Sequence, residues 1–134
     1  MKTINALELK EQLEEHQRWL DSGKKEGNPA SLENILFNKS SLPGSCLSRA
    51  NLAGAFLANS DFSGMDLFYV NFTGARLNDA NFTKSNLTGV SFKDSNLTGA
   101  NFREAVLQNT TFEGAHSDGC DFVETILVNT ELPQ

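Results

Sequence analysis

The side chains best able to do chemistry in this sequence lie close together near its C-terminal end. His116, Asp118, Cys120 and Asp121 could each bind a metal ion or carry a proton. The other histidine, His16, is far away in the sequence, and neither histidine forms a recognisable nucleophile motif with a Ser or Cys. The group predicts either a metal or proton-linked site or an irregular last copy of the repeat that fills most of the chain. We favour the irregular repeat, because end copies are often atypical, and predict no catalytic residue, no metal and no cofactor.

A five-residue repeat must position these side chains. Every fifth residue from Leu32 to Leu132 is Leu or Phe, and Ser117 is the one exception. A period of five matches neither a helix nor a strand, so each unit is expected to be a short extended segment followed by a turn. A small residue usually stands two positions before this central residue, Asn or Asp often stands directly before it, and Gly often stands two positions after it. Units this short cannot bury a core alone and must stack on one another.

The units Ala50–Gly54, Ala80–Lys84 and Ala100–Glu104 resemble the Ala-Asp/Asn-Leu-x-x consensus of the pentapeptide repeat family. The resemblance runs from residue 30 to about residue 132. It implies an all-β solenoid, a right-handed quadrilateral β-helix of about five coils, to which the segment before the repeats would add an N-terminal capping α-helix. Four units would make one coil, and every twentieth residue would share a face. The inward columns are Leu32, Leu52, Phe72, Phe92, Phe112 and Leu132 on the first face; Phe37, Leu57, Leu77, Leu97 and Ser117 on the second; Leu42, Phe62, Phe82, Phe102 and Phe122 on the third; and Leu47, Leu67, Leu87, Leu107 and Leu127 on the fourth.

The segment before the repeats predicts a helix over residues 5–21. Asn5 can cap its start with Glu8 three positions later, and Gly23 is placed to end it. We therefore divide the chain into a capping helix with its linker, residues 1–29, and a repeat β-helix, residues 30–134. His16 falls in the apolar stripe of the helix and is expected to be a hydrogen-bonded packing residue.

The last coil has no equivalent cover in the sequence. It would expose apolar side chains together with unpaired backbone groups, which favours self-association. We expect a tail-to-tail homodimer through this end. Its contact residues would be Phe122, Ile126, Leu127, Val128 and Leu132.

Composition narrows the possible partners and location. The net charge is −6 without a long basic cluster, which argues against direct binding of nucleic acid. No secretory signal and no apolar stretch of membrane-spanning length is present, so we expect a cytoplasmic protein without membrane contact. Cys46 and Cys120 should lie at opposite ends of the stack and remain reduced thiols.

Two surfaces could bind a protein partner. Acidic side chains on the third face are Asp61, Glu104, Asp121 and Glu124, and apolar ones on the fourth are Phe68, Tyr69 and Val106. The first hypothesis is a non-catalytic interaction or scaffold module with a rigid acidic surface. The second, which the family resemblance implies, is a mimic of duplex DNA that binds DNA gyrase, topoisomerase IV or another DNA-binding protein. The short rod, the scattered acids and the lack of any inserted loop weaken the second hypothesis.

Overall fold

A computed structural model describes residues 2–36 and 47–133 of the chain. It contains strand β1 (Lys2–Thr3), helix α1 (Ala6–Asp21), and strands β2 (Ile35–Leu36), β3 (Val106–Gln108) and β4 (Ile126–Val128). Of the residues named above, Phe37, Leu42 and Cys46 lie outside the described residues. In the part of the chain that is described, no helix is both long enough and apolar enough to cross a membrane.

Parallel backbone pairing repeats every twenty residues and builds a β-helix. Single-residue bridges link Asp61 to Asn81, Asn81 to Asn101, and Asn101 to Asp121 on the third face, and equivalent columns run along the other three faces. The central amide donates to a carbonyl nineteen residues ahead, as Phe62 N–H does to Asn81 O at 2.8 Å. The amide of Asn81 donates back to Ser60 O at 2.9 Å. This pairing confirms the solenoid predicted from the five-residue spacing.

A tight turn separates one face from the next. The central carbonyl accepts from the amide three residues later, as Phe62 O does from Met65 N–H at 3.2 Å. The residue two positions after the central one, which we call the corner residue, has a positive φ, for example +68° at Gly64. A left-handed third residue is the requirement of a type II turn, and glycine meets it at the lowest cost. This geometry explains why Gly recurs at the corner position.

The Asn or Asp before the central residue holds the same turn from its other side. Its side-chain oxygen accepts from the amide two residues later, as Asn81 Oδ1 does from Thr83 N–H and Asp61 Oδ1 from Ser63 N–H, both at 2.9 Å. This contact gives an acceptor to an amide that takes no part in the ladder between coils. These residues are therefore part of the backbone architecture, even where they are exposed.

Two corners near the C-terminal end depart from this turn. Strands β3 and β4 extend straight through them and pair in parallel over three residues. The corner residues Asn109 and Asn129 keep a positive φ, but the amide of Thr110 donates to the hydroxyl of Thr130 at 3.1 Å instead of closing a turn on Leu107. Asn tolerates this left-handed backbone better than most residues.

Two columns of phenylalanine, on the first and third faces, interleave in the interior between the buried leucine columns of the other two faces. Rings of one column stack in parallel, with centroids 5.1 Å apart for Phe62 and Phe82 and 5.4 Å apart for Phe72 and Phe92. Rings of opposite columns meet edge to face, as Phe82 and Phe92 do at 77°. Each buried ring contributes about 1.5–3 kcal/mol, and aromatic pairs add about 0.5–1.5 kcal/mol beyond burial.

The segment before the repeats follows its sequence signals. Asn5 Oδ1 accepts from Glu8 N–H at 2.8 Å at the start of α1. At its end Lys24 N–H donates to Trp19 O at 2.7 Å and Gly23, with φ +68°, donates to Leu20 O at 3.2 Å, which is a Schellman motif. Strand β1 pairs in parallel with β2, so the chain preceding α1 adds one layer to the second face.

We predict that truncating the middle of the phenylalanine stack costs far more stability than truncating its end. Phe92→Ala removes a fully buried ring that contacts four others and should lower the free energy of unfolding by about 3–5 kcal/mol. Phe122→Ala is the matched control, because its ring is half-buried and has neighbours on one side only. Urea unfolding followed by circular dichroism measures both. Equal losses would contradict the stack as the main source of stability.

Candidate protein-binding surfaces

His16 ties the helix to the β-helix through both of its ring nitrogens. Nδ1 accepts from the amide of Ala30 at 2.8 Å, which fixes the neutral tautomer with the proton on Nε2. Nε2 lies 2.7 Å from the carbonyl of Ser48 and so donates to it. Burial lowers the pKa of His16, and the bond to Ser48 opposes this shift in part. The expectation of a hydrogen-bonded packing residue is confirmed.

The four potential ligands near the C-terminal end point in different directions. His116 and Asp118 are exposed on the second face, and Asp121 lies on the third face with Arg103 at 3.3 Å. The thiol of Cys120 donates to Leu97 O at 2.9 Å, and burial raises its pKa to about 11. Within residues 2–36 and 47–133, no three His, Cys, Asp or Glu side chains converge to hold a metal ion. The geometry therefore gives this group no shared chemistry.

The acidic side chains of the third face play unequal roles. Asp61 and Asp121 each accept from a backbone amide two residues later, so they hold turns as well as charge. The side chain and amide of Ser63 lower the pKa of Asp61. Glu104 and Glu124 are successive corner residues, one coil or about 4.8 Å apart, and both are exposed. Glu104 and Glu124 are therefore the acids of this face most available to a partner.

The negative charge is concentrated at the C-terminal end of the rod, a feature that is not seen when the acids are grouped by face. Residues 104–134 contain no Lys or Arg, and the rest of the chain holds eleven acidic and eleven basic residues. The whole net charge of −6 therefore belongs to the C-terminal coils. A count of charge along the sequence would have found it. The six acids are Glu104, Glu113, Asp118, Asp121, Glu124 and Glu131.

The apolar side chains predicted on the fourth face do not form one patch. Tyr69 is 51% exposed, and its neighbour Phe68 is half-buried. Val106 is two coils, or about 10 Å, further along the axis, with the hydrogen-bonded pair Asn86 and Thr88 between them. Tyr69 instead meets Arg49, whose guanidinium carbon lies 4.6 Å from the ring centroid. Sequence reasoning missed Arg49, although its place twenty residues before Tyr69 indicates the contact.

Apolar side chains are exposed on the last coil. Leu127 occupies an inward position but is 45% exposed, and Ile126 and Val128 beside it are exposed as well. Phe122 and Leu132 are half-buried against the core. Within the described residues, the backbone amide of Phe122 has no backbone acceptor. Val106 pairs with Ile126 in the β3–β4 ladder and so extends this apolar end along the fourth face.

Family models match most of the coil region. The model described as pentapeptide repeat region matches residues 66–134, and that described as pentapeptide repeats, with eight copies, matches residues 45–83. Among curated proteins there is no match.

Several solved structures are similar to this chain. HetL, a pentapeptide repeat protein involved in heterocyst differentiation regulation from the cyanobacterium Nostoc sp. strain PCC 7120, is 22% identical with a TM-score of 0.56. The match covers 75% of this chain and 58% of HetL, so the chain spans little more than half of that protein. Rfr23 from the cyanobacterium Cyanothece 51142 is 30% identical over 78% of this chain and 68% of its own, with a TM-score of 0.47.

A third similar structure is a trypsin-treated form of QnrB1, a plasmid-mediated fluoroquinolone resistance protein. It is 21% identical over 71% of this chain and 49% of its own, with a TM-score of 0.34. The overlap with HetL establishes the fold, and a TM-score this low gives QnrB1 no weight in an argument about function.

We predict a loss of stability on acidification that depends on His16. Its pKa in the folded protein is below the ordinary value of 6.5, so its contribution is complete above that pH and disappears as the pH falls through the lowered pKa. The melting temperature should therefore fall as the pH is lowered from about 6.5 through this lowered pKa. His16→Gln, which can still accept and donate but does not titrate, should show a smaller fall. Identical pH profiles would exclude His16 as the titrating group.

Proposed function

Because this chain belongs to the pentapeptide repeat family, whose members are generally non-enzymatic interaction modules, we propose that it is a non-catalytic protein-binding module. Its binding surface is the acidic third face toward the C-terminal end. The concentration of the entire net charge in residues 104–134 carries this proposal, because a partner with a basic surface would be attracted there over long range. The rod consists of about five right-handed coils, residues 30–134, closed at the N-terminal end by residues 1–29.

The partner would be a protein that normally binds a polyanion. Glu104 and Glu124 are corner residues one coil, or about 4.8 Å, apart, with Asp121 on the same face. Asp61 lies three coils away, beyond Lys84 and Arg103. Negative charge concentrated at the end of a rigid rod favours duplex-DNA mimicry, with DNA gyrase or another DNA-binding protein as the target. Such binding needs no nucleic acid or membrane contact by this chain, and we place it in the cytoplasm.

Self-association through the last coil would lengthen the acidic rod. Exposed Ile126, Leu127 and Val128, together with the half-buried Phe122 and Leu132, support a tail-to-tail homodimer. The acids around the same end oppose it, because a symmetric contact brings like charges together. The dimer should therefore be stabilised by salt, which screens this repulsion.

We predict inhibition of gyrase supercoiling that weakens as salt is raised. A variant with four acids neutralised should lose at least about ten-fold in potency, since each close charge pair is worth about 1 kcal/mol or more at an interface. Asn keeps the side-chain acceptor that holds the turns at positions 61 and 121, so the fold should survive. The substitutions are Asp61→Asn, Glu104→Gln, Asp121→Asn and Glu124→Gln.

A second variant controls for net charge by neutralising four acids in and beside α1. These acids are Glu11, Glu14, Asp21 and Glu26. Its potency should match that of the parent protein. Displacement of labelled duplex DNA from gyrase and from a non-specific DNA-binding protein then separates a gyrase-directed role from a general one. Failure to compete with DNA for either protein would remove DNA mimicry and leave only the general binding role.

We predict that the dimer is stronger at about 500 mM than at about 50 mM NaCl, since the Debye length falls several-fold over that range. Sedimentation equilibrium measures the association. Leu127→Asp should abolish it, whereas Leu7→Asp, on a more exposed leucine of α1, should leave it unchanged. A protein that remains monomeric at high concentration and high salt would eliminate the tail-to-tail contact.

A further inference from the structure

We propose that the corner formed by Trp19, Lys24, Arg49 and Tyr69 binds an acidic peptide segment of a partner protein. The inference rests on the proposed role as a protein-binding module, but it concerns a different surface from the acidic third face. We call these four residues the cationic corner. It lies where the linker after α1 enters the first coil and where the fourth face turns into the first.

The stack of Arg49 on Tyr69 is the centre of the cationic corner. The guanidinium carbon is 4.6 Å from the ring centroid, and the Tyr69 ring in turn covers Gly89 in the next coil. A Cβ atom at Gly89 would come within 2.3 Å of the ring, so only glycine leaves room for it. Tyr69 is 51% exposed and, among the described residues, is the one large exposed hydrophobic on the sides of the coils before Val123. An Arg stacked on an exposed Tyr is the composition typical of binding hot spots.

A second cation lies on an aromatic ring at the end of α1. Lys24 Nζ is 5.7 Å from the centroid of Trp19, whose ring lies 5.6 Å from that of His16. His16 bonds to the carbonyl of Ser48, the residue before Arg49, at 2.7 Å. The ring distance, the His16–Ser48 hydrogen bond and the bond lengths along the backbone add up to an upper limit. They place the Trp19 ring at most about 12 Å from the Cα atom of Arg49. One short peptide can span that distance.

Neither cation has a carboxylate partner in the described part of the chain. The ion pairs found there use Lys10, Arg18 and Arg103. Residues 37–46 contain no Asp or Glu that could supply one. Arg49 therefore has a planar fork of donors free to accept a carboxylate in a bidentate manner, while its other side is held by the ring.

The charge of the whole molecule favours a short acidic segment over a nucleic acid. A net charge of −6 repels a long polyanion, and two cations release too few counterions to compensate. A peptide that alternates acidic and apolar residues would instead place carboxylates on Arg49 and Lys24 and pack its apolar side chains on Tyr69 and Trp19.

Trp19 is the only tryptophan in the chain, so its fluorescence reports on this corner directly. The probe is a short synthetic peptide of alternating Glu and Leu, compared with the Gln and Lys versions of the same peptide. The Glu peptide should shift the emission and protect Trp19 from acrylamide quenching, with saturation. The Lys and Gln peptides should bind at least about ten-fold more weakly.

Glycine substitutions separate binding from folding. Arg49→Gly with Tyr69→Gly suits the left-handed backbone, so melting should be unchanged or improved while affinity for the Glu peptide falls at least about ten-fold. Lys84→Gly removes an exposed cation from an equivalent corner on the third face and should bind as the parent does.

Three results would overturn the inference: no binding of the Glu peptide, equal binding by the double glycine variant, or a preference of Trp19 for single-stranded DNA over the peptide. The double glycine variant should still inhibit gyrase as the parent does. The two surfaces can therefore fail independently, and the failure of one is distinguishable from that of the other.

Discussion

The fold depends on the backbone ladder that joins each residue to one twenty positions away. Central amides such as that of Phe62 reach forward to the next coil, and the amides before them, such as that of Asn81, reach back. The chain therefore advances by one coil in four sides. A single inserted residue would turn inward side chains outward for the rest of the stack. The ladder therefore explains why the five-residue spacing is unbroken from Leu32 to Leu132. The one inward position without Leu or Phe, Ser117, lies near an end of the stack.

The ladder also limits where a binding function can lie. Inward positions are filled by Leu and Phe, and the Asn and Asp positions are committed to the turns, which leaves the corners, the remaining outward positions and the two ends. Corner residues have a positive φ whichever residue stands there, and at the corners of Glu104 with Glu124 and of Arg49 with Tyr69 the side chains are exposed. The two surfaces proposed above are both built on such corners.

Much of the fold could be predicted from the sequence, since the ladder requires Leu, Phe, Asn and Gly to recur at fixed positions of each five-residue unit. The phenylalanine columns and the capping signals at Asn5 and Gly23 follow from position alone. Contacts between units were harder to predict. The two hydrogen bonds of His16 depend on how α1 lies against Ala30 and Ser48. The open corner at Asn109 depends on the hydroxyl of Thr130, which accepts from the Thr110 amide twenty residues earlier in the chain. The prediction of a patch of Phe68, Tyr69 and Val106 assumed that residues on one face form one surface. Val106 lies two coils away from the other two residues.

The acids of the C-terminal coils couple the two interactions proposed for that end, binding of a basic partner and dimerisation. Contact between the acidic coils and a basic partner is weakened by salt, because screening reduces attraction. Contact between two copies of the last coil is strengthened by salt, because screening reduces repulsion among acids such as Glu131 and Asp118 around the apolar Leu127. A basic partner that spans both copies would neutralise the same acids and so favour the dimer itself. Partner binding and dimerisation would then be linked reciprocally, each raising the affinity of the other, without any change in the shape of the rod.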